Sequence, residues 1–209
     1  MKVLLINGSP KAKGCTYTAL SIAADELQKN NIETEIFQVG NKPIRGCIGC
    51  GTCKRTGSGK CQFDDDTVNT AIEACKMADG IIVGTPVHYA SASGAITSFL
   101  DRLFYAGGTN LAYKPGAVIT SCRRGGASST YDQLNKYFGI TNMPVVSSNY
   151  WNMVHGNTPE EVLKDEEGVQ TVKILAKNMA WILKSIELAK SNGISHPEPE
   201  PKIRTNFIR

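Results

Sequence analysis

Apolar residues cluster in five short runs, at positions 2–6, 34–39, 80–84, 116–121 and 143–147. The first and third are nearly unbroken, the pattern of strands covered on both faces in a parallel sheet. Between the runs, apolar positions recur at helical spacing. Ala19, Leu20, Ile22, Ala23 and Leu27 form one such stripe, and helices are predicted over 16–30, 66–77, 92–105, 127–138 and 159–190. Strands that alternate with helices argue for right-handed βαβ units, hence for a parallel sheet between two helical layers.

Five such strands fit the flavodoxin-like order 2-1-3-4-5, so the expected fold class is a three-layer α/β sandwich with a five-stranded parallel sheet and helices on both faces. That topology leaves a crevice at the carboxyl ends of strands one and three. Three loops reach it. The first follows the opening strand and reads Asn7-Gly8-Ser9-Pro10-Lys11-Ala12-Lys13-Gly14-Cys15-Thr16. A buried strand that turns through glycine and serine into a helix presents free amides and the positive end of a dipole to an anion. Gly14 and Cys15 stand where those amides begin, Ser9, Thr16 and Thr18 add hydroxyls, and Lys11 and Lys13 add charge. The loop lacks the Gly-Lys-Ser/Thr ending of the nucleotide P-loop and the spaced glycines of a dinucleotide loop. It resembles instead the FMN phosphate loop of flavodoxin-like NAD(P)H:FMN and quinone reductases.

Composition narrows the setting. The 209 residues suffice for one sizeable core, and the net charge of +4 comes from scattered lysines and arginines, so a nucleic-acid partner is not expected. No apolar run is long enough to span a membrane. Met1-Lys2 leads straight into the first strand with no signal-peptide pattern, so a cytoplasmic protein is expected, with its seven cysteines reduced or metal-bound. The domain is expected over 1–190, with an insertion at 40–65. The remaining 191–209 form an extended tail around His196-Pro-Glu-Pro-Glu-Pro201, a candidate oligomer arm that ends in Phe207-Ile208.

The second loop reads Thr85-Pro86-Val87-His88-Tyr89-Ala90-Ser91-Ala92-Ser93-Gly94 and runs into a helix carrying Phe99-Leu100-Asp101-Arg102-Leu103. This segment resembles the NADPH-dependent FMN reductase and iron–sulfur flavoprotein families. By that resemblance Pro86, Val87, His88 and Tyr89 line FMN, with His88 in place of a more usual aromatic. Asp101 and Arg102 are expected to form a structural ion pair. Phosphoryl chemistry on this fold would need carboxylates at the ends of strands one and three, where this chain has Asn7-Gly8 and Thr85-Pro86.

The third loop, Ser121-Cys122-Arg123-Arg124-Gly125-Gly126, offers a hydroxyl, two glycines for close backbone approach, and two arginines. Those arginines suit an anionic flavin or a nicotinamide dinucleotide phosphate; a plain solvated pair is the alternative. Further on, Trp151 is expected to pack in the core, and His155 is a candidate proton donor to a quinone oxygen.

The insertion carries Cys47-x2-Cys50-x2-Cys53-x7-Cys61 followed by Asp64-Asp65-Asp66. Four thiolates at this spacing suit a [4Fe–4S] cluster, zinc, or simply free thiols. The aspartates are expected to cap the next helix. The pattern resembles the compact cluster motif of iron–sulfur flavoproteins. Taken together, the resemblance implies an FMN-dependent oxidoreductase that takes a hydride from NAD(P)H and reduces a quinone, a flavin or another small-molecule electron acceptor. The alternative is an electron carrier that links FMN, a [4Fe–4S] cluster and ferredoxin. A homodimer or homotetramer is expected in either case.

Overall fold

The computed structural model describes residues 1–203, 205 and 207; Ile208 and Arg209 at the end of the tail lie outside the described residues. In chain order the elements are β1 (Lys2–Asn7), α1 (Cys15–Lys29), β2 (Glu33–Gln38), α2 (Thr52–Thr56), α3 (Val68–Met77), β3 (Gly80–His88), β4 (Ser91–Ala92), α4 (Gly94–Gly107), β5 (Gly116–Cys122), α5 (Ala127–Ile140), β6 (Met153–His155), α6 (Pro159–Lys164) and α7 (Glu166–Ser191). Five strands pair in parallel in the order β2-β1-β3-β5-β6, the expected crossover pattern, while β4 folds back on β3 as an antiparallel hairpin.

Side-chain alternation along the strands divides the core in two. Leu4 and Ile6 of β1, Ile81 and Val83 of β3 and Val118 of β5 pack with α3, α4 and α5. Val3, Leu5, Ile82, Ala117 and Ile119 point the other way, against α1, α6 and α7. The unbroken apolar runs of β1 and β3 follow from this: both faces of the central strands are covered. Lys114 ties α3 to the sheet by donating from Nζ to the carbonyls of Cys75, Lys76 and Ala78 at 2.6–3.0 Å, satisfying the free end of that helix.

Several sequence expectations need correction. The fifth strand is Met153–His155, not residues 143–147. Residues 143–147 do touch β5, through one bridge from Val145 to Gly116, but Pro144 has no N–H to extend a ladder. The chain then turns: Ser148 donates from its hydroxyl to Tyr150 O (2.6 Å) and lies 2.8 Å from the Asn152 side chain, and pairing resumes where Thr120 N donates to Asn152 O. The helix expected over 159–190 is two helices, parted at Asp165. Its Oδ1 accepts from Gly168 N (3.0 Å) as the cap of α7, and its Oδ2 accepts from His155 N (2.6 Å). The cysteine insertion, for which no helix is predicted, contains the short helix α2. Trp151 is not a core residue; it is 52% exposed.

Candidate functional site

The first loop is rigid before anything binds to it. Ser9 N donates to Asn7 Oδ1 (3.1 Å), Asn7 Nδ2 donates to Gln38 Oε1 (2.6 Å), and Gln38 Nε2 donates back to Ser9 O (2.7 Å). This closed ring of amides holds the turn out of β1 at the tip of β2. Gly8 is required by packing, because a Cβ there would sit 2.7 Å from Ile96 and 2.9 Å from Gly84 O. Helix α1 then starts at Gly14 with no side-chain cap and no acidic residue in its first turn. Its leading amides and dipole stay available to an anion.

Thr16 is fully buried, and its hydroxyl lies 2.8 Å from that of Ser121 in the third loop. One hydroxyl hydrogen of this pair lies in their mutual bond and the other is left to donate elsewhere. Thr18 donates back to Gly14 O (3.2 Å). Lys11 and Lys13 in the first loop and Arg123 and Arg124 in the third are exposed. Cys15 touches Gly156 O through its sulfur at 3.6 Å, and burial raises its pKa.

The second loop is a tight hairpin. Pro86, Val87 and His88 extend β3, with Pro86 and Val87 half-buried and His88 exposed, and Tyr89-Ala90 make a two-residue turn with φ of 51° and 57°. Neither is glycine or asparagine, so the turn stores backbone strain. Tyr89 projects fully into solvent. The hairpin is braced to its neighbours. Ser91 donates its hydroxyl to Gln133 Oε1 (2.8 Å), Ser129 donates to Ala90 O (2.6 Å), and Ser93 donates to Gly8 O (3.3 Å). Gly126, at φ 91°, packs so closely that a Cβ would lie 2.5 Å from Ala90 Cα. The third loop thus fits against the hairpin through a glycine that no other residue can replace without strain, while Gly125 faces open space. All three predicted loops therefore meet, in cross-braced form, at one edge of the sheet.

His155 stands beside the third loop, paired with Cys122 across β5 and β6. It lies in a recess lined by Tyr150, Trp151, Met153, Asp165 and Glu167, with Nδ1 3.5 Å from Asp165 Oδ2.

The four loop cysteines form a second centre. Cys47, Cys50, Cys53 and Cys61 line one small cavity together with Ile48, Phe63, Arg102, Tyr105 and Ala106. The Cys50 thiol is held below its usual pKa by the Thr52 amide and hydroxyl at the start of α2. Among the described residues no three Cys, His, Asp or Glu side chains converge on a single ion. The cap position of α3 is Thr67, without a side-chain cap bond, and of the three aspartates only Asp66 bonds an amide at the helix start. Asp66 accepts from Val68 N (3.0 Å) and pairs with Arg102, and Asp64 accepts from Asn69. Asp101 and Arg102 are not paired with each other: Asp101 accepts from Tyr137 OH at 2.5 Å, while Arg102 turns into the core. The remaining cysteines, Cys75 and Cys122, are buried, and burial pushes Cys75 up to about 12.

Sequence reading missed Asn69, Gln38 and Gln133. Asn69 grips Cys61 by accepting from its N–H (2.8 Å) and donating to its carbonyl (2.9 Å). The one available signal was for Arg102: a charge amid the apolar stripe of Ile96, Phe99 and Leu103 needs a buried partner.

The model of the NADPH-dependent FMN reductase family matches residues 1–158. The chain belongs to that family. An iron–sulfur flavoprotein of Methanocaldococcus jannaschii is 33% identical over 90% of this chain and 100% of its own length. Among solved structures, RosB with bound 8-demethyl-8-formylriboflavin-5'-phosphate superposes with a TM-score of 0.70 at 15% identity, covering 100% of this chain and 92% of that one. An archaeal flavodoxin gives 0.61 at 14% identity, over 88% of this chain and 99% of its own. At such identities the structures attest the fold alone. Membership of the FMN reductase family makes this a flavin oxidoreductase with FMN as its cofactor. The first loop fits that cofactor: an uncapped helix start, a hydroxyl pair and flanking cations suit a phosphate monoester.

Proposed function

We propose that the protein uses FMN to take a hydride from NAD(P)H and to reduce a quinone, a flavin or a similar small acceptor. The observation that carries this is the meeting of three braced loops around the uncapped start of α1. In this reading the amides of Gly14, Cys15 and Thr16, with the Ser9 and Thr16 hydroxyls, bind the phosphate, and Thr18, its hydroxyl bonded to Gly14 O, supports the turn. Lys11 and Lys13 supply its counter-charge. Pro86, Val87, His88 and Tyr89 follow the ring edge, and Ser121, Gly125 and Gly126 give backbone approach from the other side. Arg123 and Arg124 stabilise negative charge on the ring or hold the nucleotide phosphates. Bound FMN supplies the hydride and electron chemistry itself. Asp165, 3.5 Å from Nδ1, orients the His155 ring as a candidate proton donor to an acceptor oxygen. Lys11, Lys13, His88, Tyr89, Arg123 and Arg124 on the rim are exposed, and a second copy of the chain in a homodimer or homotetramer would cover them.

The cysteine cavity favours a second reading, in which single electrons pass between FMN, a [4Fe–4S] cluster and a ferredoxin. A lone zinc draws its sulfurs to about 2.3 Å from one centre, whereas thiols that ring a cavity match the wider spread of a cluster. The residues fit such a group: four cysteines share a cavity, and Asn69 and Arg102 hold one of them.

Anaerobic purification with iron supplied, followed by an absorption spectrum, iron analysis and an NAD(P)H oxidation assay with a quinone, tests both readings. Flavin bands with turnover support the reductase, and iron at four per chain supports the carrier. A colourless protein that binds no added FMN removes both.

A further inference from the structure

One side chain on the wall of the cysteine cavity is there against its own solvation. Arg102 is 1% exposed, the largest fully buried side chain among the described residues. Its Nε donates to Cys61 Sγ at 3.2 Å and its Nη2 to Phe63 O at 2.8 Å. Its Nη1 donates to Arg45 O at 3.2 Å and pairs with the Asp66 carboxylate. A buried ion pair is seldom the most stable filling for such a space, since apolar side chains of like volume often do as well or better. A guanidinium aimed at a thiol therefore calls for a reason beyond packing.

We propose that Arg102 is a positioning residue that sets the reduction potential of a [4Fe–4S] cluster held by Cys47, Cys50, Cys53 and Cys61. This rests on the cluster reading above and deepens it. An electron added to a thiolate-bound cluster increases its negative charge. A hydrogen bond to a ligating sulfur and a buried positive charge both favour that reduced state, and both are known levers on cluster potential. Nε and the guanidinium charge of Arg102 supply the two together. Asp66 acts in the opposite sense: its carboxylate partly cancels the charge while fixing the fork so that Nε stays on Cys61. Asn69 fixes the backbone of the same cysteine, so the sulfur meets its donor at a set distance. Arg102 raises the potential and Asp66 lowers it.

The opposed signs separate tuning from a merely structural role. The test uses the anaerobically prepared full chain with FMN and iron, and reads iron content, FMN content and the cluster midpoint in a spectroscopic redox titration. Arg102→Gln is expected to keep its iron and FMN and to titrate at a more negative potential than the wild type. Asp66→Asn is expected to titrate at a more positive one. In the double variant, no charge is left unpaired, and its midpoint should fall below that of Asp66→Asn. If Arg102→Gln does not fold, the double variant against Asp66→Asn makes the same comparison. An unchanged midpoint at full iron, or shifts of one sign in both single variants, overturns the proposal while the cluster stands. A wild-type protein that takes up no iron overturns the cluster and the proposal together.

Discussion

At the scale of single residues, the candidate flavin site depends on polar groups that spend part of their bonding capacity on each other. The Thr16 hydroxyl sits 2.8 Å from Ser121, so its loss would be felt in both loops. Thr16→Val keeps the shape and removes the hydroxyl. It should destabilise the fold by about 1 kcal/mol and weaken FMN about fivefold, as a flavin fluorescence titration would read. An unchanged affinity would mark the pair as packing alone. Lys114 makes a parallel case in the scaffold. Lys114→Met keeps the stem but strips donors from three carbonyls at the end of α3, and should cost about 1–3 kcal/mol in a denaturant melt.

At the scale of elements, the β3–β4 hairpin stands out because it turns on Tyr89 and Ala90, both left-handed, where glycine or asparagine is the usual choice. Ala90→Gly relieves one of the two positions. Recovering about 1 kcal/mol would raise the thermal midpoint by roughly 2–4 °C in a chain of this size. No rise would mean that the bond from Ser129 and the packing of Gly126 already carry the turn. Element ends were where sequence reasoning lost the thread. Apolar periodicity located β1, β3, β5 and the helices between them, because burial on one or both faces leaves a repeating mark. It misplaced the last strand because the apolar run at 143–147 contains Pro144, and the pairing moves on to Met153–His155. It ran α6 and α7 together because Asp165, read as one more polar helical position, is a cap whose second oxygen reaches β6.

At the scale of the whole molecule, the three rim loops were legible in outline because each directly follows a strand. Their mutual bracing was not, since it runs between residues far apart in the chain, such as Ser93 with Gly8 and Gln133 with Ser91. The same holds for Arg102, whose partners lie up to 57 positions away. The tail was read as extended, and the structure stacks its His196 ring on Tyr113 at 4.3 Å, away from the rim. Deleting residues 195–209 should therefore leave FMN affinity unchanged and cost about 0.5–1.5 kcal/mol of stability, the worth of one ring stack. A loss of flavin on truncation would mean that the tail reaches the rim of its own chain or of a neighbour.

The contacts of Arg102 also bear on biosynthesis. Residues 45–66 leave the ribosome well before α4 exists, so the guanidinium that gathers Arg45, Cys61, Phe63 and Asp66 reaches them late. A nascent chain halted short of residue 102 would lack all of those bonds and keep only contacts such as Arg45 over the Phe63 ring and Asn69 on Cys61. The wall around the four cysteines is thus completed only on release of the fourth helix.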